Sequence, residues 1–290
     1  MAEELTNPEA NVETPRRGPS RKYPWAILVV LVLFVIVPFI SWYGTWFGRP
    51  LSDSALAEYL HDREKPRKVQ HALTQLEARI EKSDPAVKRW YPDIIAAASN
   101  DSAEVRLTSA WVMGQDNTSD EFHTALLTLI NDPVAAVRHN AALALVRFGD
   151  GRSRPELAAM LRSTSIKSDS AGKIQLLVRE EGIAVGAHGP LARIKQGNGE
   201  THEIRAEEAG RVETILVADG AQVEEGQDLM AMLPSAEQVR EALRALYVIG
   251  QREDIPHIQR YTRPLTGMPD WVPGQAQATI DAIRARTPGQ

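Results

Sequence analysis

Between Glu200 and Asp228 stand nine carboxylates, Glu200, Glu203, Glu207, Glu208, Glu213, Asp219, Glu224, Glu225 and Asp228, against Arg205 and Arg211. That density could offer a face to a basic partner or ligands to a divalent cation. The adjacent pairs Glu207-Glu208 and Glu224-Glu225 have the composition of general acid/base couples. The same carboxylates alternate with apolar residues, as the solvated side of a strand does. No positioned nucleophile accompanies them, so no catalytic residue is assigned. His61, His71, His123, His139, His188, His202 and His257 are scattered, with no two at metal-ligand spacing on one helix. His188 and His202 flank a glycine-rich loop but lack a third ligand, and no metal site is assigned. There is no cysteine, which excludes disulfides, thiolate metal sites and a thiol nucleophile. Gly-x-Ser-x-Gly, phosphate-loop and dinucleotide motifs are missing. At a net charge of −5 the chain has no basic footprint for nucleic acid. These features point to a protein that is not an enzyme, with no cofactor.

The elements that must position such residues fall into two kinds. Residues 171–233 are rich in glycine and β-branched residues, with Asp219-Gly220 and Glu225-Gly226 as turn signals between short alternating runs, and read as an all-β unit. On either side, 52–164 and 235–287 read as paired helices of about 10 to 16 residues joined by short turns. Val69, Val105 and Val137 recur at intervals of 36 and 32 residues, then Val239 follows after 102 and Val272 after 33. Removing one ordinary period from the long interval leaves about 70 residues, the size of an insertion that splits one helix pair. The first helix of that pair would run from Arg154 to Leu161 and its partner from Ala236 to Ile249. A last pair, 252–262 and 272–286, would cap the array.

Asp132-Pro-Val-Ala-Ala-Val-Arg-His-Asn-Ala-Ala-Leu-Ala-Leu145, ending at Phe148-Gly149-Asp150, resembles a HEAT-type helical repeat, and Asp101 to Gly114 repeats it with Val105, Arg106, Ser109, Ala110 and Met113. Arg106, Arg138 and Arg240 are expected to bond carbonyls or acids of the neighbouring pair. Trp90 and Trp111 are placed in the core, with exposed anchors on a partner face as the alternative.

Gly220-Ala-Gln-Val-Glu-Glu-Gly226, followed by Gln227 and Leu229 and preceded by Ala209-Gly210-Arg-Val212, resembles the second half of a biotinyl/lipoyl-like barrel-sandwich hybrid. The first half, Lys173 to Lys195, is more divergent. The resemblance implies a hairpin tip that carries a modified lysine, typically between two methionines. Counting back from Gly210, that position is Gly199, inside Gln196-Gly-Asn-Gly-Glu200, and Lys195 stands four residues away. No cofactor attachment is therefore expected. Unmodified versions occur in periplasmic adaptors, which carry a coiled-coil hairpin where this chain has a short loop.

Residues 1–22 read as a flexible cytoplasmic tail. From Trp25 to Gly48 no residue is charged, and 23–48 is read as a transmembrane helix, with residues 25–47 in the membrane, Pro38 as a kink and Trp42, Tyr43 and Trp46 at the boundary. Arg16, Arg17, Arg21 and Lys22 precede it, placing the N-terminus in the cytoplasm and everything after it outside. The expected fold class is mainly α: a solenoid of about five helix pairs, an inserted small all-β hybrid and one N-terminal transmembrane helix. The expected function is a non-enzymatic, membrane-anchored scaffold or accessory subunit in the plasma membrane, binding protein partners of a membrane or periplasmic complex. A periplasmic adaptor of a transport or secretion system is the alternative.

Overall fold

The computed structural model describes Trp25 and residues 29–37, 50–62 and 64–286. The chain divides into two units, Met1–Pro50 and Leu51–Gln290. In the first, Trp25 and residues 29–37 are helical (α1 for the latter stretch), and their side chains are exposed. No helix among the described residues is long and apolar enough to cross a membrane. This corrects the expected single-pass anchor and the localisation drawn from it. At ~1.5 Å rise per residue, the described 29–37 stretch reaches roughly half of a ~30 Å hydrocarbon layer. The rest of the expected 23–48 span, the tail 1–22, Pro38, Trp42, Tyr43 and Trp46 lie outside the described residues.

In the second unit the helices come in pairs: α2 (Asp53–Leu60) with α3 (Pro66–Glu81), α4 (Tyr91–Ala97) with α5 (Ala103–Met113), and α6 (Asp120–Leu129) with α7 (Ala135–Arg147). Then come α8 (Arg154–Ala159) with α9 (Ala236–Ile249), and α10 (Ile255–Gln259) with α11 (Trp271–Arg286). The second members α3, α5, α7, α9 and α11 pack side by side. Their buried faces follow the helical period: Val69, Ala72, Leu73, Leu76 and Ile80 in α3, and Val239, Ala242, Leu243 and Leu246 in α9. Ala141 and Ala142 keep the middle of α7 slim. Ala141 belongs to the core of the first three pairs and Ala142 to that of the last two, so α7 joins the two cores.

Between α8 and α9 lie eight strands: β1 (Thr164–Lys167), β2 (Gly172–Leu176), β3 (Ala184–Val185), β4 (Pro190–Lys195), β5 (Thr201–Arg205), β6 (Gly210–Ile215), β7 (Gln222–Val223) and β8 (Asp228–Pro234). They form two four-stranded antiparallel sheets, β1-β8-β6-β3 and β5-β4-β2-β7. With about 53% helix beside these sheets, and no membrane-spanning helix among the described residues, the expected mainly-α class with a transmembrane helix is corrected to a mixed α and β fold. Strands of two to seven residues carry too short a pattern to weigh against long helical periods, and β1 begins at Thr164, ahead of the expected bounds 171–233.

Advancing every strand by four exchanges the two sheets, so β1–β4 and β5–β8 are two copies of one motif. The hydrogen bonds repeat accordingly. Gly182 N–H donates to Val212 O and Gly220 N–H to Ile174 O, at 2.7 and 2.8 Å; His188 N–H donates to Ala206 O and Gly226 N–H to Ser168 O, both at 2.8 Å. The inner faces bury Ile174, Leu191, Ile194, Val212, Val223, Leu229 and Met230 in a core of their own.

The β domain is fixed to the helices by polar contacts. Ser163 Oγ donates to Glu213 at 2.5 Å, and Arg260 donates to both Ser163 and Glu213. Tyr261, fully buried beside the last helices, donates its hydroxyl to Leu161 O at 2.8 Å. Burial raises that phenol well above its ordinary range, so it stays a donor.

Candidate interaction groove

The helical face nearest the β domain is built by a repeated arginine. Arg106 Nη1 donates to the carbonyls of Asn100 and Asp101, while Nε and Nη2 grip Asp132 at 2.6 and 3.0 Å. Arg138 does the same one repeat later: Nη1 reaches the carbonyls of Asp132 and Pro133, and Nε donates to Glu156 at 3.0 Å. Each holds the turn before its own helix and an acid of the next element. Arg240, expected to do likewise, pairs with Glu237 of its own helix.

This ladder aligns α5, α7 and α9 beneath the β domain and leaves a groove of about 900 Å³ between them. Leu107, Val134 and Leu143 supply apolar floor, and Glu104, Glu237 and Glu241 stand on the helical side. His188, Arg205, Glu207 and Glu208 come from the β side. Beyond Asn140, Leu143 and Glu241 the groove continues into a second cavity of about 370 Å³ that reaches Trp111 and Arg244. Trp111 is 49% exposed and its Nε1 donates to Glu77 at 2.6 Å, whereas Trp90 is buried. The core assignment of Trp111 is therefore corrected: it lies off the Val105–Ser109–Val112 face of α5 and on the groove side.

Residues 91–171 match HEAT repeats. The chain is a helical-repeat protein over that stretch, and HEAT repeats commonly mediate protein–protein interaction. No curated protein matches the chain. Among solved structures, a single-chain, multi-domain long-chain acyl-CoA carboxylase is similar at 21% identity over 35% of this chain and 10% of that one, with a TM-score of 0.24. The chain spans about a tenth of that protein's length, and a likeness of this extent carries no argument about activity. Neither finding supports the membrane anchor or the transport-adaptor alternative.

Against the helical array, the acidic run is dispersed. Glu203 pairs with Arg193 and Arg205, Glu213 with Arg260, and Asp219 with Arg179. Asp228 pairs with Lys167, and Glu200 caps the hairpin tip through Asn198. Glu224-Glu225 occupies the exposed turn before β8, while Glu207-Glu208 occupies the turn after β5 and reaches the groove. The two pairs are thus in equivalent sheets but different surroundings, and neither faces a nucleophile. His123 bonds Asp150 at 2.7 Å and stacks on Phe148, and His61 faces Asp93 at 3.4 Å. His202 sits opposite Ile194 near the tip of the β4–β5 hairpin, whereas His188 lies before its open end, so the two are not brought together.

Gly199 sits at that tip with φ +90°, its N–H bonded to Gln196 O at 3.0 Å, while Lys195 ends β4 opposite Thr201. The tip is exposed and distant in register from the His188 end of the hairpin.

Two features escaped sequence reading. His188 has φ +59°, in the left-handed region, at the place where the other copy of the motif has Gly226 with φ +80°. Its imidazole helps to hold the Glu104 carboxyl below its usual range, after the larger effect of the Ser102 hydroxyl that donates to it at 2.5 Å. An alignment of Gly182-Ile-Ala-Val185-Gly-Ala-His188 with Gly220-Ala-Gln-Val223-Glu-Glu-Gly226 is the signal that could have found it. The second feature is His139, which is pinned between Glu156 and Glu208, each 3.4 Å from a ring nitrogen. These contacts are longer than good charge-assisted bonds. Burial, with Arg138 alongside, brings the imidazole down to about 4, so it is neutral at pH 7. Burial also pushes Glu208 up, with Arg138 opposing.

Proposed function

We propose that the chain is a non-enzymatic interaction scaffold that seats a segment of a protein partner in the groove between the α5/α7/α9 face and the β domain. One observation carries this reading: the groove has an apolar floor of Leu107, Val134 and Leu143, walls from two differently folded regions, and an exposed tryptophan along its length. Helical arrays bind extended partners on such faces, and buried aromatic anchors dominate the energy of protein interfaces. The β domain acts as a fixed wall. Its two-copy strand order and glycine-turn spacing support a biotinyl/lipoyl-like hybrid, and Gly199 in place of a tip lysine supports a version that carries nothing.

The test is a photo-crosslinking amino acid placed at Leu143, with Glu121 on the exposed first turn of α6 as the control position, in cells that make the protein naturally. A single partner crosslinked from Leu143 and not from Glu121 is expected. Equal products from both positions, or none from Leu143, would remove the groove reading. An intact mass equal to that of the bare chain is expected as well; added mass at Lys195 would restore the carrier reading.

A further inference from the structure

We propose that the segment taken by this groove is a cationic amphipathic stretch of the partner, with apolar side chains on Leu107, Val134 and Leu143 and lysine or arginine side chains facing Glu104, Glu207 and Glu241. This rests on the groove being the binding site and adds the chemistry of what enters it.

Charge bookkeeping within the walls carries the inference. The groove holds the carboxylates of Glu104, Glu207, Glu208, Glu237 and Glu241, of which Glu237 is paired with Arg240, against two guanidinium groups in its lining. Both guanidiniums are already committed: Arg138 to Glu156 and two carbonyls, Arg205 to Glu203 and the His188 carbonyl. Arg147, further along, is held by Gly114 O and Gln115. Arg244 lies at the far end, beyond Leu143. Among the described residues, Glu207 and Glu241 have no ion pair of their own. Glu241 is half-buried, and its burial, then Glu237, lifts its carboxyl above the ordinary value against the lowering effect of Arg240, the condition of an acid short of water with only a partial counter-charge. A cation brought by a ligand supplies that counter-charge.

Trp111 adds an independent indication. Its ring is exposed, yet its Nε1 is tied to Glu77, so the indole is held in place before anything binds. A fixed indole face on the same cavity as Glu241 suits a cation over the ring, with Arg147 and Arg244 also lining that cavity. An anionic lipid surface or nucleic acid would meet the same carboxylates and be repelled.

The experiment titrates the full-length chain with two peptides of equal length and helical period, one of leucine and lysine and the other of leucine and glutamate. The leucine–lysine peptide is expected to bind and to weaken as salt rises from ~50 to ~300 mM, since exposed charges are screened over that range. Glu207→Gln with Glu241→Gln is expected to weaken it at least tenfold, and Trp111→Ala several-fold. Asp281→Asn, which removes one charge on α11 outside the groove and so matches the single-site variant Glu104→Gln, leaves it unchanged. Circular dichroism and the denaturation midpoint confirm that the double variant is folded, and Glu104→Gln provides a second, single-site reading. Equal binding of the leucine–glutamate peptide, undiminished binding to the double variant, or no binding of the leucine–lysine peptide overturns the proposal. So does a self-associated form that the double variant dissolves, since the occupant is then a second copy. If Leu143 still crosslinks a native partner while the cationic peptide does not bind, only the partner chemistry falls. If the crosslink is missing too, the groove reading falls with it.

Discussion

In the helical array one residue does one job twice: Arg106 and Arg138 hold the turn before their own helix with the same Nη1 atom and reach the next acid with the same Nε. In the β domain, where two copies are superposed just as closely by their hydrogen bonds, one pair of equivalent positions has parted company, with His188 in the left-handed conformation that Gly226 adopts in its twin. Equivalent places that keep their residue serve stability. An equivalent place that gives up its glycine for a strained histidine serves something other than stability, and this one faces the groove. The contrast can be broken or sharpened by substitution.

The largest effect falls on the ladder. Arg106→Ala leaves Asp132, which is 8% exposed, as a buried charge without its guanidinium, and is expected to cost about 3 kcal/mol in urea denaturation. Arg240→Ala, where the pair with Glu237 is exposed on one helix, should leave the urea midpoint nearly unchanged. Equal losses would remove the ladder from the account of the fold.

Next is the junction at His139. Its folded imidazole titrates at about 4 against an ordinary 6.5, so the unfolded chain binds more protons between those values. Stability conferred by the neutral ring is complete above about pH 6.5 and is lost as pH falls towards 4. The full shift corresponds to about 3 kcal/mol. The raised Glu208 works the other way, gaining stability as it protonates, and Glu156, Glu207 and Arg138 share the site. The net loss is therefore expected to be smaller than that of the imidazole alone. His139→Asn should flatten denaturation curves recorded across this window; an unchanged pH slope would show that the ring is not held neutral.

His188→Gly is expected to stabilise the chain by less than about 1 kcal/mol, because relief of the left-handed backbone is partly offset by the broader unfolded ensemble that glycine allows. The same variant should lose crosslinking to the partner at Leu143. A stabilised variant with full crosslinking would leave the histidine without a role in the groove.

The helices were legible because the period is long and the marker residues repeat: Val105, Val137 and Val239 are all fully buried, and each sits in the first turn or so of its helix, third in α5 and α7 and fourth in α9. The β domain was legible only where turns demand glycine, at Gly220 and Gly226. Its first copy was obscured by the residue that matters most, since His188 removes the glycine that would have marked the equivalent turn. Trp111 was misplaced because its aromatic bulk outweighed its position, three and seven residues after Thr108 and Glu104 on the polar side of α5. The groove itself was not legible at all. Glu104, Glu207 and Glu241 are far apart in sequence, and only the packing of α5, α7 and α9 against the turn after β5 brings them to one place. The apolar run 23–48 pointed to a membrane by hydropathy alone, whereas no helix among the described residues is long and apolar enough to cross one.

The smallest effect is expected at the other end of the β4–β5 hairpin. Gly199 has the same left-handed backbone as Gly226, and a Cβ there would meet no atom within 4 Å. Gly199→Lys thus introduces strain without a clash. Part of that strain is offset because the lysine narrows the unfolded ensemble that glycine leaves broad. The net loss should be below about 1 kcal/mol, and the crosslink at Leu143 should persist, because the tip and the groove lie at opposite ends of the hairpin. Its mass should remain that of the bare chain in cells that attach biotin or lipoate, since Asn198 and Glu200 flank the tip where the resembled family has methionines. A lost crosslink would mean that the β domain transmits change along its length, and the division between a stabilising scaffold and one specialised turn would then have to be redrawn.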